Sequence, residues 1–127
     1  MGEIKHILVV DDDGDVRAVI VEILRDRDYR VSSAVDGVTM RSFLDGVDPV
    51  DAIVLDAAMP GETRATLALH AKDRGLPLVV TSGSPDDMQF ALDNGLQLLE
   101  KPFKAQELID ALTKALGSGE SGQRSSA

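Results

Sequence analysis

Short apolar runs and longer amphipathic stretches alternate along this chain. The first run is Ile7-Leu8-Val9-Val10. Val16, Ile20, Ile23 and Leu24 follow at the spacing of one helix face. Tyr29 to Val35 reads as a second strand. Val38 to Leu44 reads as a shorter helix, closed by Gly46 and the Asp48-Pro49 turn. Ala52-Ile53-Val54-Leu55 is the third strand. A helix is expected from about Thr63 to Arg74, with Gly75 as its C-terminal stop. Pro77 to Thr81 is the fourth strand, and Asp86 to Asn94 a helix stopped by Gly95. Gln97 to Glu100 is the fifth strand. Leu108, Ile109, Leu112 and Leu116 then line one face of a last helix.

Five strand-helix units in this order predict an α/β fold with a parallel sheet covered on both faces. Near-continuous apolar strands suit that double burial, and the crossovers are expected to be right-handed. Residues 1–116 make one domain. The stretch 117–127, GSGESGQRSSA, carries no apolar residue larger than alanine and is expected to be disordered.

Composition trims the functional classes. With 127 residues, 43% of them hydrophobic and 28% charged, the chain reads as one globular domain. It has no cysteine, so thiolate metal sites and cysteine nucleophiles are excluded. No apolar stretch reaches the roughly 20 residues of a membrane span. No signal-peptide pattern opens the chain, so a cytoplasmic protein is expected. Thirteen basic residues against twenty-two acidic ones give a net charge of −9, and aromatics are 3%. Neither phosphate-backbone binding nor base stacking fits that balance. A cation or a basic protein surface does.

In an open α/β sheet, ligands sit beyond the carboxyl ends of the strands. The polar residues at those ends are Asp11, Asp12 and Asp13, then Asp56, then Thr81 and Ser82, then Lys101 followed by Pro102. Three neighbouring carboxylates repel one another. One divalent cation and one lysine would balance Asp11, Asp12 and Asp56, and hard oxygen ligands with room for water favour Mg²⁺. A phosphoryl group would give such a site a purpose, with a carboxylate as nucleophile and Lys101 and a hydroxyl on its oxygens. Each piece has a plainer role. Asp13 or Asp15 suits a helix N-cap, Ser82 and Thr81 suit loop hydroxyls, and a lone lysine is usually solvated. His6 and His70 lack paired ligands and read as structural or surface residues. Met40, Met59 and Met88 read as packing residues.

Four motifs, Ile7-Leu8-Val9-Val10-Asp11-Asp12-Asp13, Ile53-Val54-Leu55-Asp56-Ala57-Ala58-Met59-Pro60-Gly61, Val79-Val80-Thr81-Ser82-Gly83 and Glu100-Lys101-Pro102-Phe103, closely resemble the receiver domain of two-component response regulators. The likeness covers about residues 4 to 116. It implies a flavodoxin-like, five-stranded parallel sheet in the order 2-1-3-4-5. It also implies that Asp56 accepts a phosphoryl group from a histidine kinase or histidine phosphotransferase. Asp12 and Asp56 would ligate Mg²⁺ directly, Asp11 through water, and the Ala58 backbone carbonyl would complete the protein ligands. Lys101 would pair with Asp56 and then with the phosphoryl group, and Lys101-Pro102 would be cis. The resemblance selects Ser82 rather than Thr81 as the switch hydroxyl, since it precedes a small residue and lies five positions after Pro77.

Two departures from the family pattern bear on output. Leu98 stands where the family usually has an aromatic, and Thr63-Arg64 stands where many members have Asp-Gly. Ala58 and Ser84 are small residues at positions that influence access of hydrolytic water in the family. With no output domain in the sequence, the resemblance implies a single-domain regulator, a monomer or weak homodimer. It would assist its own phosphorylation and dephosphorylation, and either switch a partner surface or relay phosphoryl groups. The partner surface is expected on the fourth helix, fifth strand and fifth helix, with Asp93, Gln97, Lys104, Gln106 and Lys114 exposed. Three alternatives stand beside this. One is a receiver-like interaction module that is never phosphorylated. Another is a haloacid-dehalogenase-like phosphatase with Asp11 as nucleophile, which leaves Asp56-x-x-Met-Pro unexplained. A flavin-binding flavodoxin fits least, because three aspartates after the first strand would repel a phosphate.

Overall fold

The computed structural model describes residues 4–58 and 64–124. Five strands and five helices alternate in chain order. They are β1 His6–Val10, α1 Gly14–Asp26, β2 Arg30–Ala34, α2 Gly37–Asp45, β3 Ala52–Asp56, α3 Arg64–Asp73, β4 Leu78–Ser82, α4 Pro85–Asp93, β5 Gln97–Glu100 and α5 Ala105–Arg124. The strands form one parallel sheet in the order β2-β1-β3-β4-β5. Fold class and strand order are those expected from the sequence.

Strand alternation divides the core into two layers. Ile7, Val9, Val54, Val79 and Leu99 pack with Ile20 and Leu24 of α1 and with Leu108 and Leu112 of α5. Leu8, Val10, Ile53, Leu55 and Val80 pack on the opposite face with Met40 of α2 and with Leu67 and Ala71 of α3. Every residue of β1, β3 and β4 is buried, which explains why their apolar residues run consecutively rather than alternating.

The helix signals in the sequence have direct counterparts. The Asp13 carboxylate accepts from the N–H groups of Asp15 and Val16 and caps α1, so Asp13 rather than Asp15 is the cap. Asp36 caps α2, and Ser84 caps α4. Gly75 and Gly95 follow α3 and α4 with φ of +69° and +65°, the left-handed conformation that ends a helix most easily at glycine.

Several boundaries differ from the sequence reading. β3 extends through Asp56 and β4 through Ser82, because the ladder pairs Asp56 with Thr81 and Ser82 with Glu100. Asp56 and Ser82 are thus the last residues of strands rather than the first of loops. α5 continues through Arg124, past Leu116 where its apolar face ends, and so covers residues 117–124 of the stretch expected to be disordered. Gly117, Gly119 and Gly122 each disfavour a helix by about 1 kcal/mol relative to alanine. The stretch contains no proline to interrupt the backbone ladder. Met40 is buried, as a packing residue should be, and His6 is buried with its ring nitrogens bonded to Pro49 O and Ser32 Oγ, a structural rather than a surface residue. Met59-Pro60-Gly61 and Thr63 lie outside the described residues, as do the packing role of Met88 and the side chain of Arg64.

Candidate functional site

The two-residue period of the strands assembles the site. Asp11, Asp56, Thr81 and Lys101 lie two residues beyond Val9, Val54, Val79 and Leu99, and continue the face that packs on α1 and α5. Backbone hydrogen bonds hold the register at the strand ends. The Asp11 N–H donates to Ala34 O at 3.1 Å, the Ala57 N–H to Thr81 O at 2.9 Å, and the Lys101 N–H to Ser82 O at 2.6 Å. β1 and β3 are neighbours, so their two carboxylates meet at the point where strand order reverses.

Asp11, Asp12 and Asp56 offer carboxylate oxygens that all lie within 4.8 Å of one another, and among the described residues this is the one such cluster. Asp11 and Asp56 are buried, whereas Asp12 is exposed and opens the site to solvent. The Lys101 Nζ stands 3.3 Å from Asp56 Oδ1 and 3.6 Å from Asp11 Oδ2. One ammonium therefore serves two buried carboxylates. The lysine is not the solvated surface residue of the plainer reading, since its side chain is only 27% exposed. The peptide bond from Lys101 to Pro102 is cis.

Backbone donors fix the carboxylates. The Asp13 N–H donates to Asp11 Oδ1 at 2.9 Å, and the Ala58 N–H donates to Asp56 Oδ1 at 3.1 Å. Arg17, which the sequence motifs do not include, donates from Nη1 to the Asp11 backbone carbonyl at 2.8 Å. Its place one turn into the helix that follows the acidic run was the available signal. The Asp13 carboxylate is spent on the α1 cap and is not part of the cluster.

Burial pushes the Asp11 carboxyl above the usual range. The Asp13 N–H opposes the shift, the nearby Asp56 charge adds to it, and Lys101 again opposes it. The Asp11 Oδ2 is buried and has no hydrogen-bond partner. A buried carboxylate oxygen without a donor, within reach of two further carboxylates, fits a hard divalent cation better than it fits a purely structural cluster. The donor set is all oxygen, which suits Mg²⁺.

The two candidate hydroxyls separate. Ser82 follows Val80 onto the face shared with α2 and α3, and its Oγ accepts from the Ser84 N–H at 2.9 Å. Thr81 is the register partner of Asp56, on the same face as the carboxylates. On the expected partner surface, Asp93, Lys104, Gln106 and Lys114 are exposed, but Gln97 is half-buried. It is the register partner of Val79 in the β4–β5 ladder.

Comparison with known proteins agrees with this architecture. The protein is 41% identical over 116 residues to the transcriptional regulatory protein PrrA of Mycobacterium leprae, covering 87% of this chain and 49% of that protein. The chain thus spans about half the length of the curated relatives it matches. A putative response regulator from Chloroflexus aurantiacus superposes with a TM-score of 0.82 at 26% identity, covering 91% of this chain and 99% of the other. NtrX from Brucella abortus superposes with a TM-score of 0.84 at 27% identity, covering 98% of this chain and 29% of that one. No described helix is long and apolar enough to cross a membrane. The response regulator receiver domain profile matches residues 7–113, and with that match, the strand order and the acidic cluster in hand, the chain belongs to the receiver domain family of two-component signalling.

Proposed function

We propose that Asp56 is the phosphoacceptor of this receiver domain and that the family's phosphorelay chemistry runs here through Asp11, Asp12, Asp56, Ser82 and Lys101. The observation that carries the reading is the shared lysine. One ammonium bridges two buried carboxylates beside an exposed third, which is a charge arrangement poised to receive a cation and an anionic group together.

The chain's own residues account for the steps. Asp12 and Asp56, with Asp11 through a water and the backbone carbonyl of Ala58, would hold Mg²⁺. When bound, the ion screens the carboxylates from an incoming phosphoryl group and stabilises charge on its equatorial oxygens. An Asp56 carboxylate oxygen attacks phosphorus in line. The P–N bond of the donor's phosphohistidine breaks, and its electron pair returns to the imidazole nitrogen, which takes a proton. Lys101 follows the new charge onto the phosphoryl oxygens, and Ser82 draws in from the end of β4. The domain thereby assists its own phosphorylation and, by admitting water past the small Ala58 and Ser84, its dephosphorylation. The donor is a histidine kinase or histidine phosphotransferase. An apolar hollow of about 450 Å³ between α1 and the loop after β5, lined by Val16, Val19, Ile20, Pro102 and Phe103, adjoins Lys101 and offers such a donor a surface beside Asp56. A cytoplasmic setting belongs to the same reading.

Output then follows from population shift toward a surface of α4, β5 and α5 that binds better when Asp56 is phosphorylated. Leu98 packs half-buried against the α2–α3 layer where an aromatic is usual, so movement of the backbone and of α4 carries more of the change here.

Incubation with Mg²⁺ and acetyl phosphate, followed by trapping and mass-spectrometric mapping, should place the label on Asp56. A label on Asp11 would favour the phosphatase chemistry and defeat the proposal. Lys101→Ala separates the two halves of the mechanism. Labelling should persist at a reduced rate, while the chemical-shift changes that phosphorylation causes in α4 and β5 should shrink or vanish in NMR spectra. Full-size shifts in the variant would remove Lys101 from the switch.

A further inference from the structure

Thr81 has no task in the phosphoacceptor reading, yet it sits at the centre of the site's row. It is the register partner of Asp56 on one side and of Leu99 on the other. It is fully buried, and its Oγ1 has no hydrogen-bond partner. An unpaired buried hydroxyl works against folding. Valine fills nearly the same volume without that penalty, and the chain uses valine at both preceding positions, Val79 and Val80. A hydroxyl that is a liability in one state of a site implies a partner in another.

Topology names the partner. β4 lies between β5, which leads into Lys101, and β3, which carries Asp56. The lysine follows β5 and its Nζ stands 3.3 Å from Asp56 Oδ1 at the end of β3, so its side chain spans the intervening strand β4, in which Thr81 is the register partner of Asp56. Its ammonium pairs with both Asp56 and Asp11. A divalent cation held by those carboxylates would repel the ammonium and weaken its hold on them. An ammonium has three donors and needs acceptors. Of the two buried oxygens in the row without a hydrogen-bond partner, Asp11 Oδ2 belongs to the carboxylate cluster, which leaves Thr81 Oγ1.

We infer that Thr81 is a positioning residue whose hydroxyl accepts a hydrogen bond from the displaced Lys101 ammonium and keeps the lysine within reach of the incoming phosphoryl oxygens. This deepens the phosphoacceptor reading and rests on it. Ser82 keeps the role assigned above, from the other face of the strand.

Thr81→Val and Thr81→Ser test it through three readouts. Metal-free thermal melts should give Thr81→Val a Tm equal to or above the parent's, because the unpaired hydroxyl is gone. Calorimetric titration with Mg²⁺ should show a Kd weakened about tenfold, and labelling from acetyl phosphate should slow by about tenfold, the scale of one hydrogen bond to a charged group. Thr81→Ser should restore both. Parental Kd and labelling rate in Thr81→Val would overturn the inference and leave Thr81 as packing. A lower Tm, or failure to fold, would overturn it too, since the hydroxyl would then already have a partner. If the parent binds Mg²⁺ but takes no label, the phosphoacceptor reading is what fails, and the comparison of Kd values still decides on Thr81.

Discussion

Asp56→Asn should abolish labelling by acetyl phosphate or by a phosphorylated kinase while leaving the fold intact. The amide keeps the shape and can still accept from the Ala58 N–H, so circular dichroism and Tm should stay close to the parent's. What it lacks is a nucleophilic oxygen. Loss of a nucleophile typically costs a factor on the order of 10³ or more in rate, which puts residual labelling below detection in a gel-shift or mass-spectrometric assay. Asparagine also removes one of two buried negative charges beside Lys101, which relieves repulsion with Asp11. The folded protein should therefore survive the change, and a lost label cannot be blamed on unfolding. Retention of label at parental rate would sink the assignment of Asp56. Its relocation to Asp11 would point to the phosphatase alternative, because both residues stand on one face of adjacent strands and either could in principle present an oxygen.

Much of this site is legible in the sequence. The apolar runs fix where the strands end, and in a parallel sheet the ends decide which polar residues meet. Asp11, Asp12, Asp56 and Lys101 come together for that reason, and Gly75 and Gly95 end their helices as read. What escaped the sequence depends on distances shorter than an element. Strand ends cannot be placed to a single residue from apolarity alone, so Asp56 and Ser82 looked like loop residues although the ladder includes them. A shift of one residue exchanges the two faces of a strand. The resemblance selects Ser82 as the switch hydroxyl, but apolarity alone does not say which of the adjacent Thr81 and Ser82 shares the carboxylate face, and the structure puts Thr81 there. Arg17 was missed because its contact is with a backbone carbonyl, which no side-chain motif records. The end of α5 was placed by its apolar face, but backbone hydrogen bonding continues beyond that face.

Asp11→Asn should give the opposite pair of effects from an ordinary active-site change: a more stable metal-free protein and a blunted response to Mg²⁺. The sign follows from the carboxyl's environment. Burial raises the Asp11 pKa above its reference value of 3.8, with Asp56 reinforcing the rise. For an acid whose folded pKa is raised, protonation favours the folded form. The associated stability is fully present below pH 3.8 and is lost as pH rises through the raised value. At neutral pH the ionised Asp11 thus works against folding, by about 1.4 kcal/mol for every tenfold weakening of the acid. Asparagine removes that charge and keeps an oxygen able to accept from the Asp13 N–H. A gain on the order of 1 kcal/mol corresponds to a Tm rise of about 4 °C for a domain of this size. The same carboxylate is what the cation exploits. In the parent, Mg²⁺ at about a hundred times its Kd should add about 2.7 kcal/mol of stability, and this addition should shrink as pH falls and protons compete for Asp11. In Asp11→Asn both the Mg²⁺-induced Tm rise and its pH dependence should be largely lost. A metal-free Tm below the parent's would mean that Lys101 more than offsets the burial of Asp11. A full Mg²⁺ response in the variant would leave Asp12 and Asp56 as sufficient ligands and remove Asp11 from the metal site.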